Sequence, residues 1–214
     1  MQSEQFEPKV NAKLLYMGQG SVRITTPEGR VIYVDPYVGD GYGPAADLIL
    51  VTHGHYDHNQ VEKVANRAPG CRIITWTEAL AGGKHQTFDL GFANVEAVEA
   101  GNNPNHSLNS CVGYIITLSD GVSVYLSGDT SKTGQMQSLA DREIDYALFC
   151  CDGVYNMGVE EAAECARIVG AKHNIPYHTL GKDGKYFDPE RAALFDAPDR
   201  LIIAEGEEIE LVKE

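Results

Sequence analysis

Between residues 13 and 35 the apolar positions alternate as strands do. Val22 and Ile24, then Val31, Ile32 and Val34, flank Thr26-Pro27-Glu28-Gly29, a turn with proline second and glycine fourth. The run Asp47-Leu48-Ile49-Leu50-Val51-Thr52 predicts a buried strand. Over 59–66 the spacing of Val61, Val64 and Ala65 predicts a helix, stopped by Pro69-Gly70 and followed by a strand over 72–76. Alternation returns over 93–98, and 111–118 with 122–126 form a hairpin around Ser119-Asp120-Gly121. Residues 145–151 are a further apolar strand. Val159–Val169 has helical period, with Ala162, Ala163, Ala166 and Val169 on its buried face and Gly170 as its stop. A strand over 173–178, a proline-started helix from Glu190 and a strand pair around Glu205-Gly206-Glu207 complete the pattern.

The pattern repeats. Each half has a hairpin ending in aspartate (Asp35, Asp129), a strand opening Ala-Asp or Ile-Asp (Asp47, Asp145), then a loop, a helix and a strand. This predicts an internally duplicated α+β fold: two sheets face to face, helices outside, and a site along the shared edge. The two hairpins disfavour a doubly wound parallel sheet.

Composition narrows the class. The 214 residues, 43% hydrophobic with 22 glycines, suit one globular domain over 1–214. The polar, acidic start from Met1 to Lys9 is neither a signal nor a transit peptide, and no apolar run is long enough to cross a membrane. Five cysteines without a CxxC argue for a reducing compartment, the cytoplasm by default, with at least one of Cys150 and Cys151 packing as a small apolar group. A formal charge of −14 opposes nucleic-acid binding.

Chemistry concentrates in His53-Gly54-His55-Tyr56-Asp57-His58, directly after the buried run. His53 and His55 project to one side of such a loop, while Asp57 and His58, past the turn, can face a second ion. Imidazoles with a carboxylate suit Zn²⁺ first, with Mn²⁺ or Fe²⁺ as alternatives. Two ions roughly 3.5–4 Å apart can share a hydroxide. Asp35 ends a strand, where an aspartate is often a cap or turn residue. The Tyr37-to-Pro44 stretch is a turn or part of a pocket wall. His106 stands in a loop of turn formers, and His85 and His173 are expected to be solvated and structural. Asp129, at the end of the hairpin, reads by itself as the cap of the following turn.

The HxHxDH pattern after a strand resembles the metallo-β-lactamase superfamily, and the likeness runs from Leu14 to about His178. The segment from Tyr155 to Ala162 and Ile175-Pro176-Tyr177-His178 resemble its small metal-dependent hydrolase branch, related to ascorbate-6-phosphate lactonase. The resemblance implies an αββα four-layer sandwich of two mixed β-sheets with helices on the outer faces. It implies that His53, His55 and His106 hold one metal ion and that Asp57, His58 and His178 hold the other. Asp129 would bridge the two, and Asp35 would support the ligands from behind. Oxygen-reducing members usually carry an acidic residue where His55 stands, β-lactamases proper lack the bridging aspartate, and tRNA-processing members have a long arm that this chain lacks.

The expected activity is hydrolysis of a small-molecule ester or lactone by a hydroxide between two divalent ions, oriented by Asp57. A net positive centre would accept an anionic substrate. Tyr56, Tyr155, Asn156, Lys182 and Lys185 are candidate substrate contacts, each also explicable as a surface or packing residue. Phosphodiester cleavage, and metal binding in a redox or sensory role without turnover, are the alternatives. Substrate and oligomeric state are not encoded in any motif.

Overall fold

The computed structural model describes residues 10–180 and 184–214. Strands β1 (Ala12–Gly18), β2 (Ser21–Thr25), β3 (Val31–Val34), β4 (Ala46–Leu50) and β5 (Arg67–Ile74) form the first sheet. β12 (Glu208–Leu211) is added outside β1, giving the order β12-β1-β2-β3-β4-β5. The second sheet contains β6 (Thr87–Asp89), β7 (Ala93–Glu99), β8 (Val112–Leu118), β9 (Ser123–Leu126), β10 (Tyr146–Cys150) and β11 (His173–Tyr177), in the order β11-β10-β9-β8-β7-β6. Both sheets are mixed, and the molecule is the expected α+β sandwich.

Alternation decides what each strand buries. In the first sheet Leu14, Tyr16, Val22, Ile24, Ile32, Val34, Leu48 and Leu50 face the second sheet in one continuous core. Met17, Val31, Tyr33, Ala46 and Ile49 form a separate outer cluster. That outer face is covered chiefly by the Tyr37-to-Pro44 loop. Tyr42 packs on Tyr33 with ring centroids 5.5 Å apart, and the Tyr33 hydroxyl donates to the carbonyls of Gly41 and Pro44. Gly39 and Gly41 permit this approach, since a Cβ would come within 2.6 Å of the Met17 carbonyl and 2.5 Å of its sulfur. The second sheet is covered by α3 (Val159–Val169), whose Ala162, Ala163, Cys165, Ala166 and Val169 are buried. The other helices are short: α1 (Trp76–Ala79), α2 (Met136–Leu139) and α4 (Pro189–Ala193).

Two local expectations change. The helix expected over 59–66 is only a 3-10 turn, Val61–Lys63, because the chain must pair with β4 from Arg67 onward. Pro69-Gly70 does not stop a helix. It lies within β5, where the register against β4 shifts between Ala46 and Leu48, a position an edge strand tolerates. The strand pair around Glu205-Gly206-Glu207 is one strand, β12, on β1; residues before it run beside β11, where Leu201 N–H donates to Asn174 O.

The duplication is visible in hydrogen bonds. Strands β1 to β5 and β7 to β11 both pair antiparallel, antiparallel, parallel, parallel. Asp47 accepts from the first amide of β3 (Val31, 2.8 Å), and Asp145 from the first amide of β9 (Ser123, 2.9 Å). At the strand ends Thr52 N–H donates to Asp35 and Cys150 N–H to Ser127. The counterpart of Asp35 is therefore Ser127, not Asp129. Asp129 lies two residues further on, beyond Gly128, whose positive φ of 62° and contact with the Val112 carbonyl favour glycine.

Asp145 carries a testable consequence. Burial alone would raise its carboxyl, but hydrogen bonds from Lys213, Ser123 and Lys172 outweigh burial and hold it below the usual carboxylate range. A depressed carboxyl contributes stability above its unfolded value of about 3.9 and loses it as pH falls through the folded value. Asp145→Asn should cost about 2 kcal/mol at neutral pH. In denaturant titrations the gap from wild type should close below about pH 4. A gap equally wide in acid would show the charge to be irrelevant.

Candidate metal centre

The site forms where the ends of β3 and β4 meet those of β9, β10 and β11. The sheets touch there: Val112 N–H donates to Thr52 O, and His53 bridges Cys111. Gly54 allows the ligand loop to leave β4, because a Cβ would lie 2.8 Å from the Trp76 ring. The loop closes on a bond from His58 N–H to His55 O, which buries His53 and His58 and leaves His55 and Tyr56 exposed.

Seven predicted donors come together in two groups. His106 Nε2 lies 3.1 Å from His55 Nδ1 and 3.4 Å from Asp129 Oδ2, and His53 Nε2 is 3.9 Å from that same oxygen. On the other side His58 Nε2 and His178 Nε2 are 3.3 Å apart, and each is 3.4 Å from Asp129 Oδ1. Asp57 Oδ2 is 3.6 Å from His58 Nε2 and 3.9 Å from His178 Nε2. Donor atoms around a tetrahedral cation with bonds of about 2.0–2.3 Å are about 3.3–3.8 Å apart. The spacings are those of a coordination shell, so His53, His55 and His106 could hold one ion and Asp57, His58 and His178 another. Buried His53 Nε2 and Asp129 Oδ1 have no hydrogen-bond partner, as donor atoms awaiting a cation would.

Asp35, His53 and His58 also lie close enough to suggest a third group. Hydrogen bonding excludes it. Asp35 Oδ1 accepts from Thr52 N (2.7 Å), and Oδ2 accepts from Thr52 Oγ1 (2.6 Å) and His58 Nδ1 (2.7 Å). The Thr52 hydroxyl, having donated to Asp35, accepts from His53 Nδ1 at 3.0 Å. One buried carboxylate thus sets the tautomer of two histidines and leaves both Nε2 lone pairs aimed into the site. Asn103 Oδ1 does the same for His106 Nδ1 (3.1 Å), and Asp152 Oδ2 faces His178 Nδ1 at 3.4 Å.

Electrostatics agree with the geometry. Burial, then His58, pushes the His53 imidazolium down to about 2, which keeps the ring neutral. Burial opposes charge on His58, but Asp129 and Asp35 on either side outweigh it and raise its pKa well above the usual value. Burial would also raise Asp129, yet His178 and His58 hold it well below the carboxylate range.

A cavity of about 450 Å³ opens above the donors, lined by His55, Tyr56, Asp57, Asn105, His106, Asp129, Tyr155 and His178. Tyr56 and Tyr155 are among the lining residues. Asn156 does not: its amide turns back to Asp152 Oδ2 at 2.6 Å. Lys185 is exposed and outside the lining, and Lys182 lies outside the described residues. The Tyr37-to-Pro44 loop covers a sheet and contributes none of the lining residues, although the Tyr37 ring meets that of Tyr56 at 5.8 Å. Sequence reasoning passed over Gln19, Thr52, Asn103, Asn105 and Asp152. Asp152, directly after an apolar strand as Asp35 is, was the one with a readable signal. Its Oδ1 accepts from the amides of Val154 and Tyr155, and so shapes the loop that carries Tyr155.

Two facing mixed sheets with histidine and carboxylate clusters on their common edge define a metal-dependent hydrolase of the metallo-β-lactamase class. Residues 13–178 match the family described as Beta-lactamase superfamily domain, and the chain belongs to that family. Among its relatives, a UPF0173 metal-dependent hydrolase of Myxococcus xanthus is 29% identical over 194 residues, 78% of this chain and 70% of that one. Another, of Pyrococcus furiosus, is 28% identical over 93% of this chain and 99% of its own. A solved structure described as a metal-dependent hydrolase from Parabacteroides distasonis is 30% identical, covering 91% of this chain and 93% of that one, with a TM-score of 0.73. A metallo hydrolase of Ignicoccus hospitalis, 20% identical with a TM-score of 0.70, shares the fold. Among the described residues no helix is long and apolar enough to cross a membrane.

Proposed function

We propose that the protein hydrolyses a small-molecule ester or lactone at a dinuclear centre. His53, His55 and His106 hold one cation, and Asp57, His58 and His178 the other. Asp129 lies between them. The observation that carries this reading is Asp129 itself, whose Oδ2 faces the first group and Oδ1 the second. Bound there, two divalent ions, zinc first with manganese or iron as alternatives, would supply hydroxide near neutral pH and polarise the substrate carbonyl.

The chain's own groups do the rest. Asp57 is partly exposed at the cavity floor, where Oδ2 accepts from Gln19 and can also take the proton of the attacking water. Asp35 and Asn103 keep the imidazoles of His58 and His106 oriented. Tyr56 and Tyr155 line the cavity on opposite loops, and Asn105 ties the second loop by donating to Tyr155 O at 3.1 Å. A volume near 450 Å³ suits a small molecule rather than a polymer. Five free cysteines fit a cytoplasmic setting.

The test is a panel of lactones, carboxylic esters, thioesters, phosphodiesters and single-stranded RNA, run on protein of measured metal content. Turnover of a lactone or ester that tracks metal loading supports the reading. Turnover confined to phosphodiesters or RNA overturns the substrate class. A protein that takes up no divalent ion overturns the centre.

A further inference from the structure

The tight turn between β1 and β2 carries an unassigned side chain into the site. Gln19, flanked by Gly18 and Gly20, is buried, and its Nε2 lies 2.9 Å from Asp57 Oδ2 and 3.0 Å from His178 Nε2. Its Oε1 is buried without a partner. The turn is pinned at both ends: Gln19 N–H donates to Tyr186 O, while Gln19 O accepts from His178 N–H and the Tyr16 hydroxyl. Gly20 lies against His58, where a Cβ would come 2.7 Å from the ring. At φ 51° Gln19 occupies the left-handed region, which glycine would fill without steric cost, so the side chain is kept there against a local preference.

As placed, the amide nitrogen donates to the same two atoms that the cation of this group would draw. Asp57 is an acceptor, and because an amide nitrogen can only donate, the 3.0 Å contact makes His178 Nε2 an acceptor as well. Once the single Nε2 lone pair of His178 is engaged by a cation, that nitrogen can no longer accept from Gln19, and an N–H aimed at positive charge is repelled. Rotating the terminal amide by half a turn exchanges its nitrogen and oxygen without moving the backbone. Oxygen then stands at the same 2.9 and 3.0 Å from two donor atoms. Ligands at right angles on bonds of about 2.1 Å are about 3.0 Å apart. We propose that Gln19 gives its side-chain oxygen to the cation held by Asp57, His58 and His178, as a donor additional to the predicted set. This rests on the two-cation reading above and deepens it. The amide oxygen makes this position richer in oxygen than the three-imidazole position and favours manganese or iron there.

The test compares wild type with Gln19→Gly, which suits the left-handed turn, and Gln19→Glu, which retains an oxygen. Metal-free protein is titrated with Mn²⁺, following free ion by electron paramagnetic resonance, and with Co²⁺, following visible absorption. Melting of the metal-free variants checks the fold. Wild type should take two equivalents. Gln19→Gly should keep one at unchanged affinity and bind the other about 10–100-fold more weakly. Its cobalt bands should intensify as coordination number falls, and Gln19→Glu should restore both signals. Two equivalents at wild-type affinity with an unaltered spectrum in Gln19→Gly would overturn this assignment alone. A wild type that takes fewer than two would overturn it together with the dinuclear reading.

Discussion

Asp129→Ala should lose tight binding of both cations and at least about a thousandfold in kcat/KM. The residue is 4% exposed, and its two oxygens face different groups. Alanine removes a donor from each shell at once. It also removes a charge that raises the His58 pKa and leaves four neighbouring imidazoles with less compensation. Asp129→Asn keeps one good oxygen donor and should retain one equivalent better than the other. Metal content after gel filtration, with turnover of whichever ester the panel yields, checks both variants. Two tightly held ions in Asp129→Ala would show that the carboxylate does not join the groups.

Asp35→Ala should cost about 3–5 kcal/mol, the penalty for breaking a buried charged network from one side. The Thr52 amide, the Thr52 hydroxyl and His58 Nδ1 would all lose their acceptor in a dry site. Asp35→Asn is the sharper variant. It nearly preserves shape, but an amide nitrogen facing His58 Nδ1 forces that ring into its other tautomer, with the proton on Nε2. The variant should therefore fold, melt a few degrees lower and bind metal about 10–100-fold more weakly. Differential scanning calorimetry of metal-free protein and a metal titration separate the two effects. Wild-type affinity in Asp35→Asn would mean that the tautomer is set elsewhere.

What could be read from the chain depended on how local the signal is. Helix α3 was legible to the residue because its period and its terminal Gly170 are local facts. His53, His55, Asp57 and His58 were legible because four donors crowd one short loop. His106, Asp129 and His178 are unremarkable in isolation and were reached through the family resemblance. Gln19 was not reachable: its partners lie 38 and 159 residues away, and only the closed sandwich places them beside the turn. The missing helix over 59–66 has the opposite cause, a real local preference overruled by pairing of β5 with β4. Asn156 and Lys185 stand close in sequence to Tyr155 and His178, but nearness along the chain does not fix where a side chain points. The structure turns one toward Asp152 and leaves the other in solvent.

The donor set is divided between the layers: His53, His55, Asp57 and His58 leave one sheet, and His106, Asp129 and His178 leave the other. Neither layer alone carries either proposed group, so an ion bound as proposed would act as a rivet between them. Chelation should then loosen the whole body rather than one loop, with faster amide exchange along the seam near Thr52 and Val112. Metal retention becomes a direct gauge of whether the two layers remain docked.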